Sequence, residues 1–416
     1  MKFSKIALAA VAAAAFAGQA QAATTFLTGA SATSNNYVFA LKSLCSGNFV
    51  VHKTTTATDS LGNFFTAKCS QDFDGLTGVD AVAFNVAGGS YTAVQNSTLG
   101  ATGVAFVQNT SGTSTVAGTN TLAGVNLVVG VATSGNIKSA GGFLDIEPAA
   151  FDADLLAPFG GAEALLDKTE GAQFSQAFGV AVSNSLYTAL QAAQGLAGCN
   201  GESLTPACQP TVSKAQYATI ANAAFNSAKT DINALFGVPA GKLTLCRRAS
   251  TSGTQAASNQ FFLNTFIGQG PNLGASLPAT TAAYPASGPD ATPTFEVKEG
   301  PGTADARNCL NAAGYGIGVL SLENKPSATT GYRFVKLNRV EGYDNAASSK
   351  GTAIAGEYEF QFQGAKFTAA GAQTNPVIEA IDAALANIGP TVFGLWGAAE
   401  SEFNRGGLNT NSLVKN

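Results

Sequence analysis

Short runs of apolar and β-branched residues alternate along the chain with stretches whose apolar positions recur every three or four residues, and Ser/Thr/Gly-rich loops separate them. Phe26-Leu27 reads as a strand opening into Thr28-Gly29-Ala30-Ser31-Ala32-Thr33, followed by a helix over 34–44 with Val38, Leu41 and Leu44 on one face. Phe49-Val50-Val51 and Phe64-Phe65 are the strand cores of a hairpin inserted at 46–80, and 81–86 is a strand running into Ala87-Gly88-Gly89-Ser90. The Thr/Ser/Gly/Val composition of 96–140 predicts a second insertion of strands. Gly141 to Pro148 reads as a strand ending in a turn, and 178–182 as a buried strand.

The longest periodic stretch predicts one helix over 214–236, with Tyr217, Ile220, Ala224, Phe225, Ala228, Ile232 and Leu235 at helical spacing. Ser213 and Gln216 make its capping box, and Gly237 is its stop. A strand over 243–246 leads through Arg247 to Thr254 into a helix carrying Phe261, Phe262 and Phe266, and 269–294 reads as loop. Strands at 317–321, 332–337 and 358–362 and a helix over 376–388, started by Asn375-Pro376, complete the pattern. Strands and helices alternating in this way imply an α/β chain.

Composition narrows what such a chain can do. Of 416 residues, 22 are Lys or Arg and 26 are Asp or Glu, so 12% are charged, against about 25% in an ordinary domain. That deficit excludes a nucleic-acid binder, which needs a basic stripe, and argues against a multi-carboxylate metal cage. No metal and no cofactor are expected. The length suits two or three domain-sized units of about 150 residues each.

Met1 to Lys5 is a basic start, 6–17 is an apolar Ala-rich run, and Ala20-Gln21-Ala22 is a small-x-small cleavage site, so 1–22 reads as a signal peptide. No later stretch reaches spanning length uninterrupted, and the mature chain is expected not to span a membrane and to be periplasmic or secreted. Six cysteines without a CxxC pair fit export as three disulfides. Among 15 pairings, Cys45–Cys69 and Cys199–Cys208 close short local loops and Cys246–Cys309 ties a strand to a later helix. The single histidine, His52, lies in a β-like run, which makes Ser-His-Asp or Cys-His catalysis improbable. No catalytic residue is assigned.

The candidate chemistry lies in the strand-to-helix loops. A helix N-terminus offers unpaired N–H groups and partial positive charge, and small hydroxyl side chains add donors without bulk, so an oxyanion is the natural ligand. Arg248 adds a planar cationic fork just before Ser252-Gly253-Thr254. Each such loop alone is more often an ordinary cap than a site.

Taken in order, these loops resemble those of the periplasmic phosphate-binding proteins of bacterial ABC transporters. Leu27 to Thr33 looks like that family's first strand and loop, Gly88-Gly89-Ser90 its second Gly-Ser loop, and Gly141 to Pro148 its Ser-Asp-x-Pro loop, with Asp145 on the aspartate. Arg248 to Thr254 resembles the Arg-x-x-x-Ser-Gly-Thr anion loop, and Gly314 to Val319 the strand that follows.

The resemblance implies a two-lobed class II periplasmic binding fold, with lobe one at 23–178 and 358–416 and lobe two at 179–357. It implies a ligand, phosphate or a similar tetrahedral oxyanion, bound between the lobes by Thr33, Ser90 and Asp145 from one side and Arg248, Ser252, Gly253 and Thr254 from the other. Asp145 would accept a proton carried by the anion. An inner-membrane ABC transporter is the partner implied. The alternative is a secreted structural or adhesion protein that keeps the fold and uses its inserted hairpins, and a phosphate-ester hydrolase has little support from one histidine and no metal cluster.

Overall fold

The computed structural model describes residues 24–55, 61–100, 104–109, 122, 125–135, 137–196, 198, 199, 203, 205–223, 231–264, 283–285, 293–340, 351–369, 375–387, 394–404 and 413–415. The signal peptide expected at 1–22 and Phe266 lie outside them.

The chain is a mixed α/β protein built around two large sheets. The first has the strand order β1-β4-β3-β2-β6, where β1 is Thr24–Thr28, β2 Phe49–Lys53, β3 Phe64–Cys69, β4 Ala81–Asn85 and β6 Asn126–Val129. β1 and β4 run parallel, β3 is antiparallel to both β4 and β2, and β6 runs parallel to β2. The 46–80 hairpin is thus part of the sheet, because Phe65 of β3 stacks on Phe84 of β4 at 4.8 Å. β5 (Val104–Asn109) and β7 (Val131–Gly135) pair with each other as a separate antiparallel ribbon.

The second sheet has the order β12-β13-β11-β14-β9-β17-β8. Its strands are β8 (Gly141–Leu144), β9 (Thr169–Ser183), β11 (Leu243–Arg248), β12 (Ala283–Pro285), β13 (Pro293–Gly300), β14 (Tyr315–Ser321) and β17 (Gln361–Thr368). β15 (Tyr332–Phe334) and β18 (Leu395–Gly397) also pair with β9, while β10 (Thr211–Val212) and β16 (Lys336–Leu337) pair apart from it. The principal helices are α1 (Ser34–Ser43), α2 (Asn184–Ala193), α3 (Lys214–Ala221), α4 (Ile232–Phe236), α5 (Gly253–Leu263), α6 (Thr303–Ala312) and α7 (Pro376–Leu385).

Two hydrophobic clusters meet along β9. Ala172 and Phe174 pack with Leu27, Tyr37, Phe84, Phe143 and Ile378. Phe178, Val180 and Val182, a few residues on, pack instead with Leu245, Phe262, Phe295 and Trp396. A buried side chain of this size stabilises by roughly 1.5–3 kcal/mol, so each half of β9 is anchored by a different core.

Several expected elements are redrawn. The helix expected over 214–236 is two pieces among the described residues, because Asn222 turns extended (φ −82°, ψ 130°) and Asp231 starts α4 by accepting from the Ala234 N–H. The Ser213–Gln216 capping box and the left-handed Gly237 stop are present. The strand expected at 358–362 lies at 361–368, and β13, within and beyond the expected 269–294 loop, pairs parallel with β11. Helix α2 had no counterpart in the sequence, whereas α6 is the later helix expected to carry Cys309.

Helix α7 is fixed to β9 and β17 by charge. Lys366 Nζ, 10% exposed, lies 2.6 Å from Glu379, 3.1 Å from Glu170 and 3.3 Å from Asp382, and Asp382 also accepts the Gln173 N–H at 2.7 Å. Despite desolvation, these three carboxylates hold the lysine above its ordinary titration range. Lys366→Met should therefore leave buried Asp382 uncompensated and cost about 3 kcal/mol in a urea denaturation curve; a loss under about 0.5 kcal/mol would show the cluster to be ornamental.

Candidate functional site

The carboxyl ends of β4, β8 and β11 bring the loops named from the sequence to one place. Gly89, at φ +82°, approaches the loop before α5 so closely that a Cβ there would stand 2.9 Å from Ser252 Cα and 3.0 Å from the Thr251 carbonyl. The Tyr91 N–H donates to that same carbonyl at 3.2 Å. Gly253 opens α5 against Ser90 and Asp145, where a Cβ would stand 2.4 Å from Ser90 Oγ and 2.7 Å from Asp145 Oδ2. Glycine is required there by close approach, since any side chain would separate these two loops.

Asp145 follows β8 and is 3% exposed. Its N–H donates to Ser90 Oγ at 3.2 Å, while its carboxyl is hydrogen-bonded by the Ser90 side chain and the Thr254 backbone and lies in the field of Arg248. Burial outweighs these partners and pushes the carboxyl from 3.8 up to about 6. One oxygen, Oδ1, is buried without a hydrogen-bond partner.

Arg248 ends β11 and is 3% exposed. Its guanidinium donates from Nη1 to Thr303 Oγ1 at 2.5 Å and from Nη2 to the Pro301 carbonyl at 3.0 Å, so α6 and the turn before it hold the fork. Nε is buried and unpartnered. Its main-chain N–H donates to Gln255 Oε1 of α5 at 3.2 Å. Burial lowers the arginine's pKa, and Asp145, Glu323 and Asp305 oppose that. The neighbouring Arg247 is buried too, with Nε 3.2 Å from Glu299.

Ser90, Asp145, Gly253 and Thr254 are therefore in contact, Ser252 meets them through Gly89, and Arg248 joins through its field on Asp145. Thr33 stands one step away. It precedes α1 without capping it, and its hydroxyl bonds the Tyr37 hydroxyl and the Ala30 carbonyl. Tyr37 in turn is raised well above its ordinary range, chiefly by burial and partly by Asp145. Sequence reasoning passed over Tyr37 because its spacing reads as core, and over Gln255 because nothing in a helical glutamine announces a bond to a strand end.

Asp145 thus lies at the N-terminus of a fully buried helix in the field of an arginine, and each of the two has one buried polar atom outside the protein's own hydrogen bonds. The pair suits a ligand oxygen that accepts and another that donates. Among the described residues no cluster of His, Cys, Asp and Glu could hold a metal ion, and no helix is long and apolar enough to cross a membrane.

Neither protein-family models nor curated proteins match the chain. Among solved structures it is similar to a Clostridium perfringens protein described as a phosphate ABC transporter substrate-binding protein with bound phosphate, with 10% identity and a TM-score of 0.41 over 95% of this chain and 100% of that one. A Planctomyces limnophilus protein described as phosphate-binding gives 11% identity and a TM-score of 0.34 over 88% of each chain. An ABC-type phosphate transport receptor from Vibrio cholerae gives 9% identity and a TM-score of 0.30 over 50% of this chain and 62% of that one.

Proposed function

We propose that the chain is an exported solute-binding protein that holds phosphate or a similar tetrahedral oxyanion between two lobes. The observation that carries this reading is a pair of buried, incompletely bonded groups: Asp145 Oδ1, whose carboxyl lies against the α5 N-terminus, and Nε of Arg248, whose charge acts on that carboxyl. Hydrogen phosphate fits both: an oxygen accepts from the guanidinium, and the P–OH proton goes to the carboxylate. Fully ionised sulfate can only accept, and would leave the Asp145 charge facing lone pairs. Ser90, Ser252, Thr254 and the Gly253 backbone would supply further donors, with Thr33 acting from the α1 side.

The lobes proposed are 23–178 with 358–416, and 179–357. The change of core along β9 between Phe174 and Phe178 supports a crossing point there, and the second core also takes in Leu144, Phe362 and Trp396 from the segments proposed for lobe one. Three disulfides support an oxidising compartment, and delivery to an ABC-type transporter is the use such a binding protein would have.

Equilibrium binding of labelled phosphate to ligand-stripped protein tests the reading, and the absence of saturable binding would sink it. Asp145→Asn supplies a signed prediction. Because the carboxylate form must accept the ligand proton, the ratio of wild-type to variant affinity, in which the ligand's own ionisation cancels, should fall about tenfold per pH unit below about 6, and the variant should lose the preference for phosphate over sulfate. The raised pKa also means that Asp145 stabilises the ligand-free fold below its unfolded value of 3.8, a contribution lost as pH rises through about 6.

A further inference from the structure

The α1 side of the candidate site holds a residue that the sequence did not assign. Tyr37, one turn along α1 from Thr33, is 1% exposed, and Thr33 Oγ1 donates to its phenol oxygen. Its ring is stacked on two others: it lies 5.2 Å from Phe84 of β4 with 7° between the planes, and 5.3 Å from Phe143 of β8 at 29°. β4 and β8 are the strands that lead to Ser90 and Asp145, and Phe143 stands two residues before the aspartate. Stacking of this kind fixes the phenol before any ligand arrives.

The loop before α1 is bound to the same strands. The Ala30 N–H donates to the Phe143 carbonyl at 2.8 Å, and Thr28 Oγ1 donates at 3.0 Å to the carbonyl of Thr92, two residues beyond Ser90. A Cβ on Gly142 would stand 1.6 Å from the Thr28 carbonyl oxygen, so loop and strand are in backbone contact. The Thr33–Tyr37 pair is thereby lodged at the strand ends where Ser90 Oγ accepts the Asp145 N–H. Its two protons are unequally placed. The Thr33 proton has two acceptors in reach, the phenol oxygen and the Ala30 carbonyl at 3.4 Å. The phenol's own proton has no acceptor among the described residues, and a buried donor left in that state is costly until something accepts from it.

We infer that Tyr37 is the hydroxyl donor that the α1 side presents to the oxyanion, with Thr33 as the residue that positions it. The inference rests on the oxyanion reading above. A ligand oxygen takes the phenol proton, while the bond from Thr33 sets the direction in which that proton points and polarises it. Hydrogen phosphate then meets complementary groups: Tyr37 donates to one of its oxygens as Asp145 accepts from another. Burial raises the phenol well above its ordinary range and Asp145 adds to the rise, so Tyr37 stays a neutral donor around neutral pH.

The test measures phosphate affinity of the full chain for wild type, Tyr37→Phe and Thr33→Val, with thermal unfolding of each run alongside. Tyr37→Phe keeps the stacked ring and removes only the donor, and should weaken binding at least about tenfold. Thr33→Val keeps the phenol proton and should cost less, about threefold. A Tyr37→Phe loss under about threefold, or a Thr33→Val loss as large as that of Tyr37→Phe, overturns the inference. The tyrosine absorption difference spectrum gives a second reading: saturating phosphate should perturb it in wild type, as the phenol gains an acceptor, by more than in Tyr37→Phe. Equal spectra count against Tyr37. Wild-type protein that binds no phosphate refutes the oxyanion reading itself, whereas wild-type binding that Tyr37→Phe leaves intact refutes only the role of Tyr37.

Discussion

Arg248→Ala is expected to raise the dissociation constant for phosphate by at least about a hundredfold, a loss of about 3 kcal/mol or more, since a charge-assisted donor to a buried anion is worth up to about 3 kcal/mol and the anion would also lose the field that offsets Asp145. The size of the effect follows from how the side chain is held. Thr303 and Pro301 engage Nη1 and Nη2, so the fork is fixed before any ligand arrives and little side-chain entropy is lost on binding. Arg247 cannot take over, because its guanidinium is paired with Glu299. Arg248→Lys keeps the charge but not the planar fork, and should fall between wild type and alanine. Isothermal calorimetry at about pH 7 reads all three, with thermal unfolding run alongside to show that the variants are folded. Affinity of the alanine variant within about threefold of wild type would remove Arg248 from the site and leave the oxyanion reading without its cation.

Much of this arrangement was legible in the residues. The β1, β4 and β11 strands and the α1 and α5 helices stand where apolar periodicity put them, and the loops between them carry the Gly, Ser and Thr that let backbones approach. Gly89 and Gly253 show why: both stand where a Cβ would fall within 3 Å of the facing loop. What could not be read is whatever depends on a partner distant in sequence. The 46–80 hairpin looked like an appendage because its alternation is that of any half-buried hairpin, and only its pairing with β4 makes it part of the sheet.

The break in the expected 214–236 helix depends on backbone choices at Asn222 and Asp231, residues that compete with helix by bonding locally. Glu323 sits in Leu322-Glu323-Asn324-Lys325-Pro326, which reads as a solvated turn. Its carboxylate is instead held by Gln176 of β9, more than 140 residues earlier. The sparse charge of the chain has a related sense: on the proposed reading, a small oxyanion would need only one arginine, hydroxyls and main-chain dipoles.

The second large effect concerns Cys246–Cys309. The three disulfides join Cys45 to Cys69, Cys199 to Cys208 and Cys246 to Cys309, with sequence separations of 24, 9 and 63. Closing a longer loop removes more entropy from the unfolded chain, so removing the third by Cys246→Ala with Cys309→Ala should cost about 4 kcal/mol, against about 3.5 for the first and about 2.5 for the second. Its position adds a functional consequence. Cys246 lies in β11 two residues before Arg248, and Cys309 lies on α6, the helix whose Thr303 holds the Arg248 guanidinium. The bond thus staples together the two elements that orient the arginine, and its loss should weaken phosphate binding several-fold in protein that is still folded. Urea denaturation of the double variant reads the first effect and phosphate titration below the unfolding transition reads the second. A stability loss under about 1 kcal/mol would contradict the loop-closure argument, and unchanged affinity would show that Thr303 and Pro301 orient Arg248 without help from the bond.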